Sequence, residues 1–256
     1  MRVLTVGDLH YDLPQLDWLL GQASDFDLVV VIGDLLDISS TVPLESQVPV
    51  ILRYLERLGE RGATAVCSGN HDLTGKDADG ERAASWLDVV DSIGVVASGS
   101  FTIGDTLFTI CPWWDGPLGR ARQERELIVQ AEARAASDDP RRWIWVYHWP
   151  PPDLPVSWIG SKYYGDADLA GWVARFQPDL VLSGHVHQSP WVDGGSWISS
   201  SGRTWIVNAG RQSGPEPTHV VVDLDAWTAT WSAVEGTEEQ DLSQIDATAP
   251  VTAVVD

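Results

Sequence analysis

The sequence is poor in positive charge, in lysine, in cysteine and in long apolar runs. Of its 256 residues only 16 are Lys or Arg, against 37 Asp or Glu, giving a formal net charge of −21. Proteins that read nucleic-acid backbone usually carry a basic face that replaces counterions around the phosphates, so this balance makes a polymeric nucleic acid an unlikely partner. An enzyme that grips phosphate through metal ions stays open. The two lysines, Lys76 and Lys162, form no basic stripe. No apolar stretch approaches the roughly 18–20 residues that cross a bilayer, which excludes a membrane-spanning helix. The apolar start Met1-Arg2-Val3-Leu4-Thr5-Val6 runs directly into Gly7-Asp8-Leu9-His10, so no cleaved leader is expected and the expected compartment is the cytoplasm. Cys67 and Cys111 sit in or at the end of apolar runs without C-x-x-C spacing, and read as reduced core residues.

What is present is an α/β rhythm. Short runs rich in Val, Ile and Trp alternate with segments of helical spacing. Strands are expected at 2–7, 27–32 and 63–67, with helices around 13–23, 44–61 and 80–92. Val29-Val30-Val31-Ile32 is apolar without alternation, so both faces of that sheet should be covered. Paired strands at 95–103 and 106–111, joined at Gly104-Asp105, suggest a hairpin. A helix near 118–136, a strand over 141–147, an aromatic loop over 149–164, a helix near 166–176 and a strand at 179–182 follow. Strands at 203–208, 217–224 and 227–234 close the pattern, the last two joined at Asp225-Ala226. From Gln212 to Asp256 there are nine acidic residues and no Lys or Arg. The expectation is one domain over 1–234 and a solvated acidic tail over 235–256.

Five of the six histidines fall at the end of an expected strand or in the turn after it: His10, His71, His148, His185 and His187. Loops beyond the carboxyl ends of strands form the functional crevice of open α/β sheets, so these imidazoles should meet at one rim. Asp8-x-His10 places two metal-competent side chains two residues apart, on the same side of extended backbone. Gly33-Asp34 ends the second strand with a carboxylate, and its glycine admits close approach of a backbone or ligand. Gly69-Asn70-His71-Asp72 ends the third, and Gly184-His185-Val186-His187 repeats the two-residue spacing. Each motif alone has an ordinary structural reading. Together they give a mixed oxygen and nitrogen set suited to two divalent transition ions.

In this order the motifs resemble the calcineurin-like metallophosphoesterase superfamily: Asp8-Leu9-His10, Gly33-Asp34-Leu35-Leu36-Asp37, Gly69-Asn70-His71-Asp72, His148 and Gly184-His185-Val186-His187. The resemblance implies a four-layer αββα sandwich of two mixed sheets flanked by helices. It also implies two divalent metal ions of open identity (Mn, Fe, Zn, Ni or Mg). Asp8, His10, Asp34 and His187 would hold one ion, and Asp34, Asn70, His148 and His185 the other. The pair, roughly 3.5–4 Å apart, would share a hydroxide for in-line attack on phosphorus. His71 is then the expected general acid, with Asp37 orienting it and keeping it protonated.

The substrate is narrowed by departures from that pattern. Asp37 is followed by Ile38-Ser39 rather than the Arg-Gly of protein Ser/Thr phosphatases, and Asp72 stands where those enzymes carry Glu. Relatives that cut DNA usually add a capping domain after the last motif, whereas this chain ends in two strands and an acidic tail. Even without the segment after Arg211 the balance is 16 − 28 = −12. A small phosphodiester is therefore expected as substrate, with a nuclease or phosphomonoesterase as the alternative; a non-catalytic scaffold would have lost ligands. Trp113, Trp149 and Tyr163 are candidate stacking residues for a nucleobase, in loops that also carry Trp114, Trp158 and Tyr164. Arg211 and Lys76 are candidate contacts to a phosphate or distal group. His219 reads as a strand residue.

Overall fold

Side chains on the central strands alternate between two cores. In the computed structural model, which describes residues 1–136 and 142–245, strand β1 spans Arg2–Gly7, β2 Leu28–Ile32 and β3 Thr64–Cys67. On β2, Val30 and Ile32 face a core shared with the second sheet, while Val29 and Val31 face the helices outside. That is why the run is apolar without alternation. A small hairpin follows β3, formed by β4 (Gly75–Lys76) and β5 (Arg82–Ala83), and then β6 at Val95–Val96. The second half supplies β7 (Gly99–Ile103), β8 (Thr106–Ile110), β9 (Arg142–Val146), β10 (Leu180–Ser183), β11 (Ile198–Ser201) and β12 (Thr204–Asn208). The chain then returns to the first sheet with β13 (His219–Asp223), β14 (Thr228–Ala233) and β15 (Gly236–Asp241).

Among the described residues the first sheet has the order β15-β14-β13-β1-β2-β3-β6, and the second β11-β12-β10-β9-β8-β7. Strands β1, β2, β3 and β6 run parallel, as do β8, β9, β10 and β12. The metal-competent motifs therefore leave their strands in a common direction. Helices α1 (Leu13–Gln22) and α2 (Leu44–Arg61) cover the first sheet through Leu16, Leu19, Ile51 and Leu55. Helices α3 (Pro117–Ala135) and α4 (Ala167–Phe176) cover the second through Leu127, Leu169 and Trp172. The result is the expected four-layer αββα sandwich of two mixed sheets.

Three expectations need correction. The run 95–103 is two strands in different sheets: β6 pairs with β3, the chain crosses over, and β7 pairs with β8. Gly94 and Gly99, at φ 79° and 74°, let the backbone turn at each end of the crossing. The segment 80–92 is not one helix, since Arg82–Ala83 forms β5 and a 3₁₀ helix covers Ser85–Ile93. Within the expected tail, Gly236–Asp241 forms β15 against β14. Its Glu238 accepts the indole N–H of Trp197 at 2.8 Å, and Leu242 is buried. Residues 246–256 lie outside the described residues. Strand β11, four residues with three serines, was not expected at all.

Candidate metal centre

The first loop owes its shape to left-handed backbone. β1 ends at Gly7, and Asp8, His10 and Tyr11 take φ values of 55°, 44° and 57°. Asp8 and His10 thus share a side through a turn, not through the extended spacing expected from sequence. Asp34 (51°) and His185 (67°) are left-handed too, and such strain collects at functional sites because the surrounding bonds impose it. Those bonds are visible: the N–H groups of Asp8, His10 and Tyr11 donate to the carbonyls of Gly33, Asp34 and Leu35 at 3.2, 2.8 and 2.9 Å. At Gly33 (φ 70°) a Cβ would lie 2.5 Å from His148 Nδ1 and 2.7 Å from Gly69 N, so the second, third and fourth motifs meet there.

All five rim histidines converge on two buried carboxylates. Asp8 and Asp34 are each 1% exposed. His187 Nε2 stands 3.1 Å from both Asp8 Oδ1 and His10 Nε2. Asp34 Oδ2 lies 3.2 Å from His148 Nε2, 3.6 Å from His10 Nε2 and 4.0 Å from His71 Nε2. The ligand-competent atoms form three overlapping groups, Asp8-His10-His187, His10-Asp34-His71 and Asp34-His148-His185, each within 4.8 Å. Both carboxylates also tie the loops together, because Asp8 accepts the His185 backbone N–H (2.9 Å) and Asp34 Oδ1 that of His71 (2.9 Å).

The residues fit bound cations. Asn70 Oδ1 and His185 Nε2 are buried without a hydrogen-bond partner, and His148 Nε2, 3.2 Å from Asp34 Oδ2, makes no aligned hydrogen bond, although each is a potential ligand atom. One such orphan costs about 1–3 kcal/mol, so several at one rim call for a group that binds them. His148 Nδ1 donates to the Ile32 carbonyl at 2.7 Å, which fixes the tautomer and leaves Nε2 as a lone-pair donor. Electrostatics agree. Burial works against a charged His148, yet the Asp34 carboxylate, with Asp8 beyond it, pushes its pKa up to about 9. Burial, reinforced by His148, pulls His185 down to about 3. Asp8 stays ionised despite burial through its contacts with His10 and His187. The two carboxylates thus demand positive charge, which a proton on His148 supplies and a metal ion would displace.

The other expected residues divide. Trp113 lies 5.8 Å from His148 and 5.4 Å from His185, and stacks on Trp149 at 5.2 Å; Trp149 is 5.2 Å from His185. Tyr163 instead packs on Trp158 (4.9 Å), while its neighbour Tyr164 stacks on His185 (5.2 Å, 22° between planes). Lys76 is exposed on β4. Asp37 is 3.9 Å from His71 Nδ1, too far for a hydrogen bond, and its Oδ1 accepts the Ser39 N–H at 2.8 Å. The Ile38 backbone N–H reaches His71 Nδ1 instead (3.3 Å). Burial holds the His71 pKa below its ordinary value, although Asp34 and Asp37 oppose this. Arg211 donates its backbone N–H to the His187 carbonyl at 3.2 Å.

Asn208, absent from the expected set, holds the rim together. Its fully buried amide donates to the carbonyls of Val186 (2.9 Å) and Val156 (3.0 Å) and to Ser189 Oγ (3.1 Å), and its oxygen accepts the Gly210 N–H. It thereby joins the His185–His187 loop to the aromatic loop. The available signal was a polar residue closing the apolar strand Trp205-Ile206-Val207 just before Ala-Gly.

Two carboxylates, an amide and five imidazoles on the strand ends of a two-sheet sandwich define a metal-dependent phosphoesterase. A family model for the calcineurin-like phosphoesterases matches residues 1–189, and the chain belongs to that family, whose members use a dinuclear divalent metal centre. The fold is similar to that of a dimetal phosphatase from Danio rerio, with 11% identity over 94% of this chain and 98% of that one and a TM-score of 0.56. A Thermus thermophilus protein aligns with 16% identity over 94% and 98% of the two chains, TM-score 0.54. The phosphopantetheinyl hydrolase of Mycobacterium tuberculosis aligns with 15% identity over 82% and 88%, TM-score 0.50. A search of curated protein sequences finds no match. No helix among the described residues is long and apolar enough to cross a membrane.

Proposed function

We propose that the chain hydrolyses a small phosphodiester carrying a planar, nucleotide-like group, using two divalent ions at this rim. The observation that carries the reading is the convergence of Asp8, His10, Asp34, His148, His185 and His187, beside the buried, unpartnered Asn70 Oδ1 of the neighbouring loop. Asp8, His10, Asp34 and His187 hold one ion, and Asp34, Asn70, His148 and His185 the other. When bound, the ions supply Lewis acidity toward the phosphate and activation of a water. Asp34, in contact range of His10, His71 and His148, is the shared ligand. His71 acts as general acid: with Nδ1 accepting from Ile38, its neutral form carries the proton on Nε2, the atom that faces Asp34. Asp37, 3.9 Å away, supports it by charge alone.

The substrate class rests on the surroundings. Trp113, Trp149 and Tyr164 wall the His185 side with aromatic surface suited to a planar group. Arg211, its Nε buried and without a partner among the described residues, is suited to grip a phosphate oxygen. On α3 two arginines are held in ion pairs: Arg120 with Asp168 and Glu124, and Arg122 with Asp77 and Asp79. A polyanion therefore meets an acidic surface. Two free, buried cysteines fit a reducing compartment, and we place the enzyme in the cytoplasm. The test is kinetic. kcat/KM for cyclic nucleotides, dinucleotides and aryl diesters is compared with that for monoesters and single-stranded oligonucleotides, under one metal and one salt. At least one small diester should lead; oligonucleotides cut tenfold faster than every small ester would replace the reading with a nuclease.

A further inference from the structure

The second and third motifs exchange carboxylates. Asp34 reaches from the loop after β2 to accept the His71 N–H (2.9 Å). In return Asp72 reaches back: its Oδ1 accepts the N–H groups of Leu35 and Leu36, both at 3.0 Å, and its Oδ2 that of Gly69 at 2.8 Å. Asp72 is 0% exposed, and its own carbonyl accepts the Trp86 indole N–H at 2.8 Å. The space for this exchange exists only because position 69 is glycine, where a Cβ would lie 2.6 Å from Asp34 N. We propose that Asp72 is a positioning residue that sets Asp34 and Asn70 in register and so governs uptake of the ion held by Asn70, His148 and His185.

The inference rests on the dinuclear reading above. Leu35 and Leu36 follow the shared ligand directly, and Gly69 precedes Asn70, so one buried carboxylate fixes the backbone on both sides of a ligand pair. The other ion shares Asp34 but takes its remaining ligands, Asp8, His10 and His187, from loops the Asp72 side chain does not bond, so only the Asn70 ion is clamped through both of its loops. A clamp of this kind therefore acts unequally on the two ions, whereas a general loosening of the fold would act on both. Asp72→Asn keeps the shape but replaces one acceptor oxygen with a donor. With its oxygen kept on Leu35 and Leu36, the amide N–H₂ meets the Gly69 N–H, donor against donor, beside Asn70.

The test is stepwise Mn²⁺ binding to the chelated full chain, followed by calorimetry and by the electron paramagnetic resonance signal of a coupled pair. In Asp72→Asn one of the two steps should fall roughly 10–100-fold, as for partners that orient metal ligands, and the coupled signal should fade, while the other step stays within about threefold. Equal weakening of both steps, or none, overturns the proposal. A wild-type chain that takes up a single ion overturns the dinuclear reading first, and is recognised before any variant is compared. If Asp72→Asn does not fold, hydrogen exchange in the metal-free wild type decides. The Leu35, Leu36 and Gly69 amides should exchange as slowly as those of β2, and rapid exchange at all three overturns the clamp.

Discussion

The two sheets contribute unlike halves to the rim. The first supplies Asp8, His10, Asp34, Asn70 and His71 from three parallel strands, on loops bonded backbone to backbone and bent through left-handed residues. The second supplies His148, His185 and His187, imidazoles set beside Trp113, Trp149 and Tyr164. All the candidate oxygen ligands and most of the left-handed residues thus lie on one side, and most of the candidate nitrogen ligands and the aromatic surface on the other. The difference separates two tasks. The first half fixes where charge is held, and its geometry leaves little freedom. On the proposed reading, the second half presents the face that a substrate's non-reacting part meets, on aromatic side chains that make no hydrogen bond to the carboxylates.

The strongest way to break this contrast is through Asp34. Asp34→Asn should lower activity by roughly 10³–10⁵, because weakening both ions forfeits several kcal/mol of charge stabilisation at about 1.4 kcal/mol per decade. Replacing a terminal ligand, as in His187→Ala, should cost less. Metal content measured beside turnover checks this, and an Asp34→Asn protein no worse than His187→Ala would remove Asp34 from the shared position. Next in size is His71, which lies in the first half but is not assigned to metal. His71→Ala should keep both ions and lose about 10²–10⁴ in rate on esters with poor leaving groups, with smaller losses on activated aryl esters. Equal losses on both would end its role as acid.

How far the sequence foresaw this contrast follows the same division. The residues that converge at the rim were legible because each follows an apolar run, a pattern that periodicity detects without knowing the fold. The local shape was not. Asp8 and His10 meet through φ values near 50°, imposed by bonds to Gly33 and Asp34 from another strand, and no neighbour in sequence announces them. Asp37 stands at the right spacing from Asp34, yet its carboxylate turns to Ser39, and Gln47 on α2 holds its backbone N–H at 2.8 Å and carbonyl at 2.9 Å. The split of 95–103 between sheets and the addition of β15 depend on strand pairing, which composition does not encode. An acidic, exposed edge strand such as Gly-Thr-Glu-Glu-Gln-Asp reads as solvated chain even when it is paired on one side.

The finest test of the contrast lies in two adjacent tyrosines of nearly equal exposure, Tyr163 at 47% and Tyr164 at 43%. Their surroundings differ because the Trp158–Tyr163 bridge gives the loop a strand-like turn, in which neighbouring side chains point to opposite faces. Tyr163 packs on Trp158, whose indole is spent on the Asp193 carbonyl (3.0 Å), whereas Tyr164 lies over His185. Tyr164→Leu should therefore raise KM for a nucleobase-bearing diester by about 5–150-fold, the equivalent of 1–3 kcal/mol for a lost stacking partner. Metal stoichiometry and kcat should hold, as should KM for an aliphatic diester, since no ligand atom has moved. Tyr163→Leu should leave KM within about twofold for every ester, as a surface change away from the site does. The comparison of the two variants on the two esters separates stacking from support. If Tyr164→Leu raised KM equally for aliphatic and planar esters, the ring would be acting only as packing behind His185, and the aromatic half of the rim would have no part in selecting the substrate.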